Sequence, residues 1–409
     1  MNVGILGEGI ITWAGGIDLA KNYINSIYKR EDLSFYLLIP TANDNLKDKI
    51  DTLYHGLRQD IKYIINKGKT LNTNPYRVHN YFLSDYPEMK VIHYMRDRSN
   101  LVDLCKKNKI DILFPCCNSL PEDFPISWIG YIFDCQHKYL PQMFSQEECE
   151  KRDRAFSAML RNAKSIIVTS NAVKADCEKF YNCCNCRIHV VPYLPMCREN
   201  WLSNDESVLT KYNICYKYFI ISNQLWKHKE HLTAIEALYS LHNDLGYSDI
   251  HLVCTGGLSD GRWANYYNEV MKRVHEFGLS DYVHFLGYID KLDQIQLIKK
   301  SIALIQPTQF EGQPGGGSTA DALSLGKKAI LSDIDVNKEI VSENVIFFEM
   351  GNPTSLMKRM NELIVSEDNH SWSNIKILDR TKENRTALGN YIYSLLCEEV
   401  ELQKKETIN

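Results

Sequence analysis

Short apolar runs alternate along the chain with longer segments whose apolar residues recur every three or four positions, the mark of strands separated by amphipathic helices. Residues 2–6 read as a buried strand, followed by a loop through Gly7-Glu8-Gly9 and Trp13-Ala14-Gly15-Gly16 and a helix over 17–28. A second strand at 35–39 ends in Pro40-Thr41, and helical spacing covers 43–67 and 98–107. Strands follow at 110–114 and 128–133, then a charged helix over 147–162. A strand at 166–168, a helix starting at Ser170-Asn171-Ala172 and a strand at 189–191 close the first series. Pro192, Pro195 and the polar stretch 198–207 read as a linker. A second series has strands near 218–221, 251–254, 283–286, 302–305, 329–331 and 345–348, with helices near 230–241, 263–277 and 293–300. The tail, 381–404, reads as one or two helices. This alternation predicts two α/β domains with parallel sheets covered on both faces. The expected boundaries are 1–197, 208–380 and a helical tail at 381–409.

The 409-residue length agrees with two cores, since domains of about 200 residues are the usual limit for one. A net charge of −4 without a long basic run gives no support to nucleic-acid binding. The start of the chain shows no positively charged leader, and no apolar run reaches the ~18 residues of a membrane span. Thirteen scattered cysteines fit reduced thiols, so a cytoplasmic protein with at most peripheral membrane contact is expected. Cys177, Cys183, Cys184 and Cys186 with His189 lack the paired spacing of common zinc sites and read as free thiols, so no metal is expected.

The densest candidate chemistry lies in Phe310-Glu311-Gly312-Gln313-Pro314-Gly315-Gly316-Gly317-Ser318-Thr319-Ala320-Asp321, between two apolar runs. Three successive glycines permit close backbone approach, Ser318 or Thr319 can cap a following helix, and the free amides of a helix start attract phosphate. Glu311 and Asp321 flank that loop with carboxylates suited to sugar hydroxyls. Asn223-Gln224-Leu225-Trp226-Lys227-His228-Lys229 follows the first strand of the second series, where its lysines would face a diphosphate. Gly256-Gly257 and Gly287-Tyr288 are further loops at that sheet edge. In the first series, Asp134 and His137 sit just past a strand, suited to orienting and polarising an acceptor hydroxyl, and Gly15 and Gly16 allow close approach by a ligand. Each has an ordinary alternative, a solvated turn or a structural histidine. Gly7-x-Gly9 suggests dinucleotide binding, but Thr12 and the absence of an acid after the second strand argue against it.

Together these residues resemble the retaining, two-Rossmann-domain (GT-B) glycosyltransferases of the large group 1 family with its E-x7-E motif. The resemblance rests on Pro307-Thr308-Gln309-Phe310-Glu311-Gly312, Asp321-Ala322-Leu323-Ser324-Leu325-Gly326-Lys327-Lys328-Ala329-Ile330 and His251-Leu252-Val253-Cys254-Thr255-Gly256-Gly257. Val283-His284-Phe285-Leu286-Gly287-Tyr288, Ile167-Val168-Thr169-Ser170 and the run from Asp134 to Pro141 extend it. It implies two Rossmann-like domains facing across a cleft, with a C-terminal helix able to cross back to the first. It also implies Glu311 on the donor sugar, Asp321 on the ribose, the glycine loop through Thr319 on the diphosphate and Lys229 neutralising the phosphates. Two departures stand out: Asp321 lies two residues beyond the family's spacing, with Thr319 at the strict position, and Gln224 replaces an arginine for which Lys227 could compensate.

The reading is a metal-independent retaining hexosyltransferase of polysaccharide biosynthesis. It has no permanently bound cofactor, takes a nucleoside diphosphate sugar as donor, and uses a saccharide or lipid-linked acceptor. A nucleotide-sugar epimerase of the same architecture and a non-catalytic nucleotide-sugar-binding protein are the alternatives.

Overall fold

The computed structural model describes residues 1–12, 14–41, 46–65, 74–95, 97–183, 186–366 and 372–408. The chain forms two compact units. The first comprises Met1–Cys135, Gln146–Leu194 and Arg385–Asn409, the second Gln136–Ser145 and Pro195–Asn384.

The first unit is built on seven strands: β1 (Asn2–Leu6), β2 (Ser34–Thr41), β3 (Lys90–Met95), β4 (Ile112–Cys116), β5 (Ser127–Tyr131), β6 (Ser165–Val168) and β7 (Arg187–Val190). Their order is β3-β2-β1-β4-β5-β6-β7, and every neighbouring pair is parallel. Leu37, Leu38 and Ile39 are fully buried, as expected of a strand covered on both faces. β2 runs through Pro40-Thr41, beyond the strand end read from sequence. Pro40 is tolerated because β2 pairs with β1 only as far as Leu38, so the missing N–H lies where one side of the strand has no partner. The first helix spans Ala14–Ile27, so Gly15 and Gly16 occupy its first turn and not the preceding loop.

The sheet of the second unit has six strands: β8 (Lys217–Ser222), β9 (Ile250–Thr255), β10 (Val283–Gly287), β11 (Leu304–Gln306), β12 (Ala329–Ser332) and β13 (Val345–Phe348). They lie in the order β10-β9-β8-β11-β12-β13, again all parallel. On one face the helix His231–Leu245 buries Ala234, Ile235, Leu238 and Leu241, and Gly246 ends it with φ 77°. The polar stretch read as a linker contributes to the other face, where Cys197 and Trp201 join the core of Ile220, Leu304 and Leu331. The last helix is a single element, Asn374–Ile408, whose later part belongs to the first unit. There Glu399 accepts a 2.6 Å hydrogen bond from Ser165 Oγ and pairs with Arg187.

Parallel strands bring all the following loops to one sheet edge. In the second unit five of the six strands end in Ser222, Thr255, Gly287, Gln306 and Ser332, small or polar residues at the end of apolar runs, and β13 ends in Phe348. Two loops meet tightly there. Gly256 has φ 120°, and a Cβ on it would lie 2.1 Å from the Asn223 carbonyl oxygen. Gly256→Ala is therefore expected to destabilise the protein by about 2–4 kcal/mol, through backbone strain and a clash with main chain that cannot rotate away. Urea unfolding of variant and parent measures this; equal midpoints would contradict it.

Candidate active site

The loops after β8 and β11 bring Lys229 and Glu311 together. Lys227–Lys229 form one 3-10 turn, after which Glu230 takes the left-handed conformation at φ 53°. That unusual backbone is held from two sides. The Glu230 carboxylate accepts hydrogen bonds from Gln309 Nε2 at 2.5 Å and Thr233 Oγ1 at 3.0 Å, while the Gln309 N–H donates to the His228 carbonyl at 2.8 Å. The Lys229 ammonium, pinned by this turn, contacts Glu311 Oε1, and both side chains are 11% exposed. Gln306, the last residue of β11, donates to the same carboxylate oxygen at 2.8 Å and accepts from Asn223 Nδ2. Gln306 and Asn223 were not singled out from sequence. Their signal is a polar side chain ending a fully apolar strand, as Gln306 does.

The glycine-rich segment stands directly over this cluster. The helix Gly316–Ser324 has Gly315 as its cap, at φ 68°, so Ser318 and Thr319 lie inside the first turn and do not cap it. The Gly315 N–H donates to Asn337 Oδ1 at 2.8 Å, and Asn337 Nδ2 in turn donates to the Ser332 carbonyl at 2.9 Å. That chain of bonds fixes the loop to the end of β12. A Cβ on Gly316 would lie 3.4 Å from Glu311 Oε1, whereas one on Gly317 would meet nothing within 4 Å. The buried hydroxyls of Ser318 and Thr319 have no hydrogen-bond partner among the described residues. A helix start with no side-chain cap, unpartnered hydroxyls and an adjacent lysine is suited to an anion.

The remaining predicted residues divide. Asp321 is buried and pairs with Lys291, at the start of the helix Lys291–Lys300. Residues two apart on a helix point about 200° from one another, so Asp321 and Thr319 occupy different faces. Lys291 was missed in sequence, although it lies three residues beyond Tyr288. Gln224 Oε1 accepts from the Gly257 N–H at 2.9 Å, tying the loops after β8 and β9. Lys227 diverges from Lys229: its ammonium sits 3.6 Å from the centre of the Trp263 ring and 3.9 Å from Glu269.

His137 is buried in the short helix Gln136–Tyr139, its ring edge-on to Phe144. Two neighbours tie this segment to the second unit's loops. Gln136 Oε1 accepts from Arg262 at 3.1 Å, and the Tyr139 ring packs 5.7 Å from Phe310, beside Glu311. Asp134, in the first unit, pairs with Arg152 at 3.2 Å. Gly15 is exposed and Gly16 buried at the start of the first helix. Cys184 lies outside the described residues, and among those described no group of three or more His, Cys, Asp or Glu side chains could hold a metal ion.

Comparison with known proteins gives a family match over part of the chain. Residues 212–379 match the family Glycosyl transferases group 1. No curated protein matches the sequence. Among solved structures, Anabaena Alr3699/HepE in complex with UDP-glucose is similar over 97% of this chain and 100% of its own, at 14% identity and TM-score 0.64. Sucrose-phosphate synthase from Thermosynechococcus elongatus is similar over 100% and 99% of the two chains, at 13% identity and TM-score 0.62. A glycosyltransferase from Rickettsia africae matches over 99% and 98%, at 13% identity and TM-score 0.59. The fold class is therefore GT-B, two α/β domains with parallel sheets, and the group 1 segment contains Gln224, Lys229, Glu311 and the glycine loop.

Two buried histidines flank Lys229. Burial, reinforced by the neighbouring Lys229 charge, pushes His228 down to about 2 and His231 to about 3. Their folded values lie below the unfolded value near 6.5, so the unfolded chain binds more protons in acid. The stability they contribute is complete above pH ~6.5 and falls below it by about 1.4 kcal/mol per histidine per pH unit. The urea midpoint is thus expected to fall steadily between about pH 6.5 and 5, and His231→Gln to make that dependence shallower. An unchanged slope in the variant would contradict the assignment.

Proposed function

We propose that this protein is a glycosyltransferase that moves a hexose from a nucleoside diphosphate sugar to a saccharide or lipid-linked acceptor, with retention of configuration and without a metal ion. The observation that carries the reading is the contact of Lys229 with Glu311 beneath the helix start at Gly316, inside the segment matching the group 1 family. The solved structures of similar fold include one holding UDP-glucose, which supports a nucleotide-sugar donor.

In this account the Gly317 and Ser318 amides and the Lys229 ammonium receive the departing diphosphate, the Gly315 and Gly316 amides holding the loop through Asn337 and the Gln313 carbonyl. Charge developing on that group as the glycosidic bond breaks is what a transferase must stabilise most. Glu311, oriented by Gln306, takes the hydroxyls of the donor sugar, and Asp321 with Lys291 serves the nucleoside. His137 and Asp134 position the acceptor hydroxyl, and Gly15 and Gly16 leave room on the acceptor side. Lys227, Gln224, Gly257 and Tyr288 complete the donor-side loops.

A non-catalytic binding protein is the second reading, favoured by one observation: Gln224, at the family's arginine position, is engaged with the Gly257 amide and supplies no second cation. Incubation with a panel of nucleotide sugars and candidate acceptors separates the two. The transferase reading predicts release of nucleoside diphosphate, and tight donor binding without release would select the alternative. Sugar conversion without acceptor would indicate an epimerase, and a folded protein that binds no nucleotide sugar would overturn all three. Lys229→Ala is expected to lower kcat about 10²–10³-fold with a smaller change in KM, as loss of a contact strongest in the transition state does.

A further inference from the structure

The helix Leu46–Ile65 of the first unit is turned inside out. Its apolar residues Ile50, Leu53, Leu57, Ile61, Ile64 and Ile65 recur at helical spacing on a single stripe about 120° wide, yet they are 48–72% exposed. Tyr54, on the same stripe, is 67% exposed. The side facing the protein is small and polar. Gly56 lies where a Cβ would come within 3.0 Å of the Asn74 side chain, and Asn74 Nδ2 donates to Asp60 at 2.9 Å. Large exposed side chains elsewhere in the described residues are scattered along the chain, whereas these fall within 16 residues.

We propose that this helix docks the protein on an anionic membrane surface. Charge argues for that occupant. The chain as a whole is acidic, at −4, but this helix carries four Lys and Arg against three Asp and no Glu. Lys47, Arg58 and Lys62, with Asp51 among them, fall along one border of the apolar stripe by helical spacing, where long basic side chains reach lipid phosphates while their stems lie on the acyl boundary. Asp60, on the opposite border, is engaged by Asn74 and by Arg77 at 3.4 Å. No described helix is long and apolar enough to cross a membrane, so the helix lies in the interface plane. The inference stands on the helix and not on the transferase reading; where both hold, it brings the site to a lipid-linked acceptor.

The test is flotation of the full chain with vesicles of phosphatidylcholine alone or with a third phosphatidylglycerol. Binding is expected to the anionic vesicles, to weaken at least about fivefold between 0.1 and 0.5 M salt, and to fall at least tenfold in Leu53→Asp/Leu57→Asp. Val341→Asp, at a residue 95% exposed in the second unit, is the control expected to bind like the parent. Thermal melting of each variant separates loss of docking from loss of fold, because these leucines touch solvent. Failure of the parent to float, or undiminished binding by the folded double variant, would overturn the proposal. So would a parent dimer in solution that the double variant abolishes, since the stripe would then be covered by a second copy. Nucleotide-sugar binding by the double variant, measured alongside, reports on the donor site independently.

Discussion

An ammonium and a carboxylate that are both largely out of water must answer each other, and the second unit is arranged around that constraint at Lys229 and Glu311. Removing one charge would leave the other stranded at a cost of several kcal/mol, so the surroundings hold both in place. The left-handed Glu230 turn fixes the lysine, Gln306 and Asn223 fix the glutamate, and the His228 carbonyl binds the two loops to each other. The neighbouring histidines stay neutral beside the lysine, which keeps the positive charge in one place. Such a pair suits a ligand that carries both partners' complements. In the proposed function a diphosphate would replace the carboxylate on Lys229, leaving Glu311 to sugar hydroxyls, so that neither charge would be stranded.

Much of this scaffold is legible in the sequence because parallel strands covered on both faces are nearly continuous apolar runs. All six strands of the second unit announce themselves that way, and the polar residues that end β8, β9, β11 and β12 mark the edge where chemistry collects. The edge strand β3 does not: only Tyr94 in Lys90–Met95 is buried, so its apolar pattern is too weak to read. Lys229 and Glu311 could be named from their loops, whereas their contact depends on how β8 and β11 pair across more than eighty residues. Asn337, which anchors Gly315 from another loop, is invisible for the same reason.

Helix starts are where local reading errs. Glycine suggests a loop, yet Gly15 and Gly16 sit inside a helical turn, and Gly315 takes the cap that Ser318 and Thr319 seemed suited to. The shift matters chemically, because it leaves two hydroxyls unpartnered within the first turn. Helical periodicity likewise separates Thr319 from Asp321, which meets Lys291 on another face. The helix Leu46–Ile65 shows the complementary limit: periodicity locates the helix but cannot tell which side faces the protein.

A crystal structure of the protein with a nucleoside diphosphate, tried as UDP, GDP and ADP, tests the central claim most directly. The account predicts phosphate oxygens at hydrogen-bond distance, about 3 Å, from Lys229 Nζ and from the amides of Gly317 and Ser318, with Lys229 drawn away from Glu311. A diphosphate bound away from that lysine and helix start, with the Lys229–Glu311 pair undisturbed, would contradict it.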